Sequence, residues 1–206
     1  MRLRPLVVAA GLVVPGAAFA QAADSLNLQG RSVIVLGIGL TGSREATASA
    51  TGVTTHADGD VGSIGFRHFV TPRAAVEITA AFSSASATTV AGRLEANAVT
   101  PILFGLRVAP RALALGPSLR PFVSAAAGPF VHSMAAAFAA SASDQLETAP
   151  GARVAAGADW LIGRHFELGV AGSYDAVGTF DHPDATTRGA SGFGMTLAFG
   201  VAWGGR

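Results

Sequence analysis

From Phe193 to Trp203 every second residue is large and apolar (Phe193, Met195, Leu197, Phe199, Val201, Trp203), and the residues between are Gly194, Thr196, Ala198, Gly200 and Ala202. A period of two sustained over this length predicts a β-strand, because successive side chains of a strand point to opposite faces. The second face is too poor in polar groups to be the wet face of a soluble sandwich. The same alternation predicts seven earlier strands, so that the set is 32–40, 61–70, 74–83, 100–109, 119–131, 152–162, 166–177 and 192–203. In the first, Ile34, Leu36, Ile38 and Leu40 alternate with Val33, Val35, Gly37 and Gly39. In the fourth, Ile102, Phe104, Leu106 and Val108 alternate with Leu103, Gly105 and Arg107. The alanines of 119–131 leave its facing open.

The connections come alternately long and short. Polar stretches at 41–60, 84–98, 132–150 and 178–191 separate hairpins turned by Thr71-Pro72-Arg73, by 110–118 and by Gly163-Arg164-His165. Proline suits such a turn, since its fixed φ fits and its missing donor costs little there. Eight strands joined in this way predict an all-β, antiparallel, up-and-down barrel. Strands of about 9 to 11 residues cross a bilayer at the usual tilt, and closure removes edges that lipid would not tolerate.

Composition moves the same way. Half of the chain is hydrophobic, 13% is charged, and 26 glycines are spread along it. A lipid-facing wall replaces the charged surface that a soluble protein needs. The first residues carry Arg2 and Arg4, then an apolar run, then Ala18-Phe19-Ala20, the pattern of a cleaved export signal. Residues 1–20 are therefore expected to be removed, with cleavage after Ala22 reading almost as well, followed by a short periplasmic segment at 21–30 and a barrel at 31–206. Loss of the two signal arginines takes the formal charge from +1 to −1, which leaves no basic excess for nucleic acid. Without cysteine, the exported chain holds together without disulfides.

The stretches SIGFRHFVTPRAAVEI, PILFGLRVAP, LRPFVSAAAGPFV and GADWLIGRHFELGVAGSYD resemble the outer membrane β-barrel family, in particular its small OmpA/OmpX-type eight-stranded members. The resemblance covers the whole mature chain and consists of alternation and turn placement. It implies a transmembrane barrel in the cell outer membrane with both termini periplasmic, surrounded by lipid and lipopolysaccharide, assembled by the barrel assembly machinery, monomeric and without cofactor. Such barrels usually finish on the terminal aromatic residue, whereas here Trp203 is followed by Gly204-Gly205-Arg206.

If the large residues face lipid, Arg67, Glu77, Arg107, Asp159, Glu167 and Asp175 face the lumen, where unpaired charge is costly. Counting from Pro72 pairs Arg67 with Glu77 across the hairpin. Counting from Gly163 sets Asp159 opposite Glu167, a repulsive pair unless Arg67 or Arg107 reaches between them. Such a cluster is either a salt-bridged plug or the lining of a narrow channel, and a lumen of eight strands holds little beyond side chains.

Catalysis finds little support. A serine hydrolase needs nucleophile, base and carboxylate in hydrogen-bond reach. Of the histidines, His68 and His165 read as interfacial, and His132-Ser133 would point to opposite faces. Loop residues His56, Asp58, Asp60, Asp181, His182 and Asp184 form the one candidate set for a divalent ion, and the reading as ordinary loop residues is favoured over it. Phe122, Trp160, Phe166, Tyr174 and Trp203 fall near strand ends and are expected at the membrane interface. The sequence thus points to a non-enzymatic outer-membrane barrel with a structural or surface-interaction role and partner-facing loops, with a narrow pore for small solutes as the alternative.

Overall fold

The computed structural model describes residues 27–48, 53–88, 94–113, 118–136, 145–178 and 191–205. The expected signal segment at 1–20 lies outside them. Eight strands form in chain order: β1 (Arg31–Ala48), β2 (Val53–Phe69), β3 (Ala74–Thr88), β4 (Leu94–Val108), β5 (Leu119–Ala136), β6 (Gln145–Ile162), β7 (Phe166–Val177) and β8 (Gly192–Gly204). Each pairs antiparallel with the next, and β8 pairs with β1 to close the barrel.

The registers fix the tilt. Stepping across the wall from Ser32 through His68, Val76, Leu106, Ala125, Val154 and Tyr174 reaches Phe193, the neighbour of Gly194, which pairs with Thr41, so the path regains β1 about ten residues from its start. A stagger of that size over eight strands corresponds to a tilt of about 40°. From Phe193 to Trp203 the strand is then about 34 Å long and rises about 26 Å, the height of a bilayer's apolar band.

The described residues before β1 and after β8 and the connections after β2, β4 and β6, so far as they are described, share one end, here termed the turn end. There Thr71 Oγ1 accepts from the backbone N–H of Arg73 at 3.2 Å and of Ala74 at 2.8 Å, which fixes the β2–β3 turn. At the opposite, loop end the described parts of the expected loops at 41–60, 84–98 and 132–150 are strand. The β1–β2 pairing continues to Ala48 and Val53, β3–β4 to Thr88 and Leu94, and β5–β6 to Met134 and Gln145. The strands are therefore 12 to 18 residues long, longer than the bilayer requires. Their extensions lack alternation because lipid no longer dictates the outer face, while backbone pairing continues regardless. A register shift between Thr41 and Arg44 accompanies the change in β1.

Outward positions carry Ile34, Leu36, Ile38, Leu40, Phe104, Leu106, Met195 and Leu197, all exposed. The inside is packed in layers. At the turn end Leu28, Val33, Phe69, Ala75, Leu161 and Ala202 form an apolar floor. Toward the loop end Val99, Leu103, Phe130 and Ala149 form a second apolar layer. Near that layer the β3–β4 and β4–β5 ladders skip Ala81–Phe82 and Ile102–Leu103, beside Pro101 and Pro129, which have no N–H to give.

Candidate functional site

Between the two apolar layers lies a charged cluster built from five strands. Arg67 stands opposite Glu77 in the β2–β3 hairpin. Its Nη1 donates to Glu167 Oε1 at 2.8 Å and to Asp159 Oδ2 at 3.4 Å across the lumen, while its Nε lies 3.8 Å from Glu77 Oε2. Arg107 donates from Nη1 to Asp159 Oδ2 at 2.6 Å and from Nε to Glu77 Oε2 at 3.2 Å. Two guanidiniums thus knit three carboxylates from β3, β6 and β7, and Arg67, Asp159 and Glu167 are all buried. Such a network holds because every ion has a counter-ion in reach; removing one leaves a buried charge exposed to its full desolvation cost.

The wall is shaped around these groups. A Cβ at Gly200 would strike the Glu167 side chain, and one at Gly169 would come within 2.9 Å of Asp159 Oδ1. The small inward residues of β7 and β8 are therefore what admits the two carboxylates. On the other side Phe122 from β5 lies beneath Arg107, whose Cζ is 3.4 Å from the ring centroid, a cation–π contact.

Three expectations change here. Phe122 is not at the membrane interface: it is 3% exposed and faces the lumen, because the parity of β5 turns Val123, Ala125 and Ala127 outward. Asp159 and Glu167 do not face each other, since the β6–β7 hairpin is centred on Arg164 and pairs Asp159 with Gly169 and Leu161 with Glu167. His56, Asp58 and Asp60 belong to β2 instead of a loop, while Asp181, His182 and Asp184 lie outside the described residues. Among the described residues no group of histidine and carboxylate side chains is arranged to hold a metal ion.

Trp160, Phe166, Tyr174 and Trp203 point outward. Trp203 packs on Phe66 with centroids 6.2 Å apart and Phe166 stacks on Phe199 at 5.8 Å, both near the turn end. Tyr174 and Phe193 meet at 4.8 Å farther along β7 and β8, toward the loop end. His68 Nδ1 is bonded to Ser32 Oγ at 3.0 Å, and His165 is exposed in its turn.

A second ion pair was not foreseen: Arg153 binds Asp175 in a fork, at 2.6 Å from Nε to Oδ1 and 2.9 Å from Nη2 to Oδ2. Its signal was available, because Val154 faces outward and parity sends Arg153 inward beside Asp175. Between this pair and the cluster lies a cavity of about 110 Å³, lined by Ser63, Thr79, Ser124, Ser173 and Thr196 as well as the arginines. It is polar and roomy enough for a few water molecules.

A closed, tilted, eight-stranded wall with a lipid-sized apolar band and a charged interior matches known membrane barrels in three dimensions. The Neisserial surface protein A is matched with a TM-score of 0.58 at 12% identity, over 84% of this chain and 97% of that one. The chain has the fold of a small outer-membrane β-barrel. Two further barrels agree, each with a TM-score of 0.53 and 12% identity. The attachment invasion locus protein Ail of Yersinia pestis, in complex with the heparin analogue sucrose octasulfate, is matched over 85% of this chain and 99% of that one. The outer membrane protein OprG from Pseudomonas aeruginosa is matched over 87% and 98%. No protein-family model and no curated protein matches this barrel by sequence.

Proposed function

We propose that this barrel is a non-enzymatic outer-membrane protein whose part is structural or surface-interacting, with its lumen closed by a salt-bridged plug. The observation that carries the reading is the layered filling of the interior. From the floor of Leu28, Phe69 and Leu161, through the cluster of Arg67, Arg107 and their carboxylates, to the layer of Leu103 and Phe130, buried and half-buried side chains fill the described lumen around a cavity of about 110 Å³. Of the lumen carboxylates, Glu77, Asp159, Glu167 and Asp175 each pair with an arginine, which supports a structural part for them. Conductance in planar bilayers tests the plug. The protein is expected to be silent, and steady openings would favour the narrow channel, for which the polar cavity is the supporting feature.

The turn end, with both termini, belongs in the periplasm, and the loop end outside. Support comes from the strands, which extend beyond the apolar band at the loop end alone. The chain has no lysine, so trypsin is limited to its arginines. Trypsin added to intact cells should cut, if anywhere, after Arg44, Arg93 or Arg188; fragments ending at Arg73, Arg111 or Arg164 would mean an inverted barrel.

The segments that make up the loop end carry Glu45, Asp58, Asp60, Glu95, Asp144, Glu147, Asp181 and Asp184 against Arg44, Arg93 and Arg188. Ail was captured with a polyanion. An acidic end fits that ligand class poorly and a basic partner well.

A further inference from the structure

The charge of this barrel is sorted by end. At the turn end the start of β1 and the three connections carry Arg31, Arg73, Arg111 and Arg164, and no aspartate or glutamate occurs among the described residues of that rim outside the lumen. Arg31 and Arg164 form the best-defined part of it. Arg31 lies opposite Gly204 in the β1–β8 ladder, and its Nη1 donates to the Arg164 carbonyl oxygen at 2.7 Å. Gly204 and Gly205 take positive φ values of 77° and 75°, and a side chain at Gly205 would run into the stem of Arg31. The residues after Trp203 thus fold across Arg31 and hold it against the β6–β7 turn, where Arg164 and His165 are exposed. Outward of this pair lie Trp203, Phe166 and Trp160, all exposed on the lipid face.

We propose that Arg31 and Arg164 dock the phosphate headgroup of an anionic phospholipid of the leaflet at the turn end, its acyl chains lying along Trp203, Phe199 and Phe166. The proposal rests on the membrane reading above. Guanidinium forks match phosphate oxygens better than ammonium groups do, and an anionic lipid surface attracts each basic side chain near it. The aromatic wall directly outward selects a lipid over free phosphate, because indole and phenyl rings at headgroup depth receive the glycerol and the upper acyl chain.

Both tryptophans of the chain, Trp160 and Trp203, sit at this rim, so intrinsic fluorescence reports on it. The full barrel is refolded into phosphatidylcholine vesicles containing a minor fraction of brominated phosphatidylglycerol or, separately, brominated phosphatidylcholine. Brominated phosphatidylglycerol should quench more strongly, its preference over phosphatidylcholine falling by about five-fold for each arginine removed. In Arg31→Gln/Arg164→Gln the preference should vanish, and in Arg31→Lys/Arg164→Lys most of it should survive. Arg164→Gln alone, in an exposed turn, covers the case in which the double variant fails to fold. Equal quenching by the two lipids in the wild type, or a preference that persists in the glutamine variants, would overturn the proposal. Quenching by neither lipid would instead strike the membrane reading beneath it.

Discussion

β5 and β8 make opposite use of the same alternation. In β8 the large residues face out and the small ones face in: Leu197 is 61% exposed, while Gly200 leaves its space to Glu167. In β5 the order is reversed. Ala125 and Ala127 face out, and Phe122 and Phe130 fill the lumen, Phe130 with no exposure at all. Closure explains why both are needed. A barrel of eight strands has a fixed interior volume, so bulk brought in by one strand must be matched by small residues on others: a Cβ at Gly157 of β6 would meet Phe122 and one at Gly151 would meet Phe130, while Gly169 and Gly200 leave room for Asp159 and Glu167. The size of a residue therefore does not name its face; the strand's partners across the lumen do.

The largest consequence falls on β5. Phe122→Ala removes a buried ring and the cation–π contact under Arg107, which should cost about 3 to 5 kcal/mol. Phe199→Ala in β8 removes a ring that faces lipid and leaves no cavity, and it should cost well under half as much. Urea unfolding from lipid vesicles compares the two directly. Similar losses for both would mean that β5 and β8 do not divide the work as described.

How much of this was legible in the chain follows from the same contrast. β8, β1 and β4 could be read because lipid demands large residues at every second position, and Ile34, Leu106 and Phe199 supply them. Counting from Pro72 pairs Arg67 with Glu77, since that turn is symmetric about it. The count from Gly163 fails by one step because the β6–β7 turn is centred on Arg164, which pairs Ile162 with Phe166. Phe122 was misplaced because alanine carries no facing signal; Arg120 and Ser124, two residues to either side, were the clue that its parity is inward. The strand extensions beyond Thr41 and Asp60 were invisible for a physical reason: alternation records contact with lipid, and backbone pairing outside the membrane leaves no such trace.

The next effect in size probes the outer face of β8. Leu197 sits midway along the apolar band between Phe193 and Trp203, so Leu197→Arg should cost about 2 to 4 kcal/mol. Its neighbour Ala198 lines the polar cavity with Thr196 and Ser63, and Ala198→Ser should change stability little, as the added hydroxyl has partners there. Refolding both variants into vesicles and comparing unfolding midpoints decides the matter. Equal tolerance would mean that this face never met hydrocarbon.

The smallest and sharpest test uses two adjacent alanines of β5, identical in chemistry and opposite in facing. Ala125 faces outward, in a shallow groove of about 850 Å³ between the ridges of Leu106 and Val108 on one side and Tyr174, Phe193 and Met195 on the other. Ala126 faces inward, packs against the Leu103–Phe130 layer, and approaches Gly105 so closely that a Cβ there would lie 2.5 Å from its own. Ala125→Leu adds apolar surface to a site with room for it and should stabilise the barrel by about 1 kcal/mol or leave it unchanged. Ala126→Leu forces the same atoms into a filled lumen and should cost about 1 to 3 kcal/mol. Because the chemical change is identical, the difference between the two midpoints isolates the facing of β5 from any effect of composition. A reversed difference would turn β5 over, place Phe122 back at the membrane interface, and deprive Arg107 of the ring that holds it in the cluster.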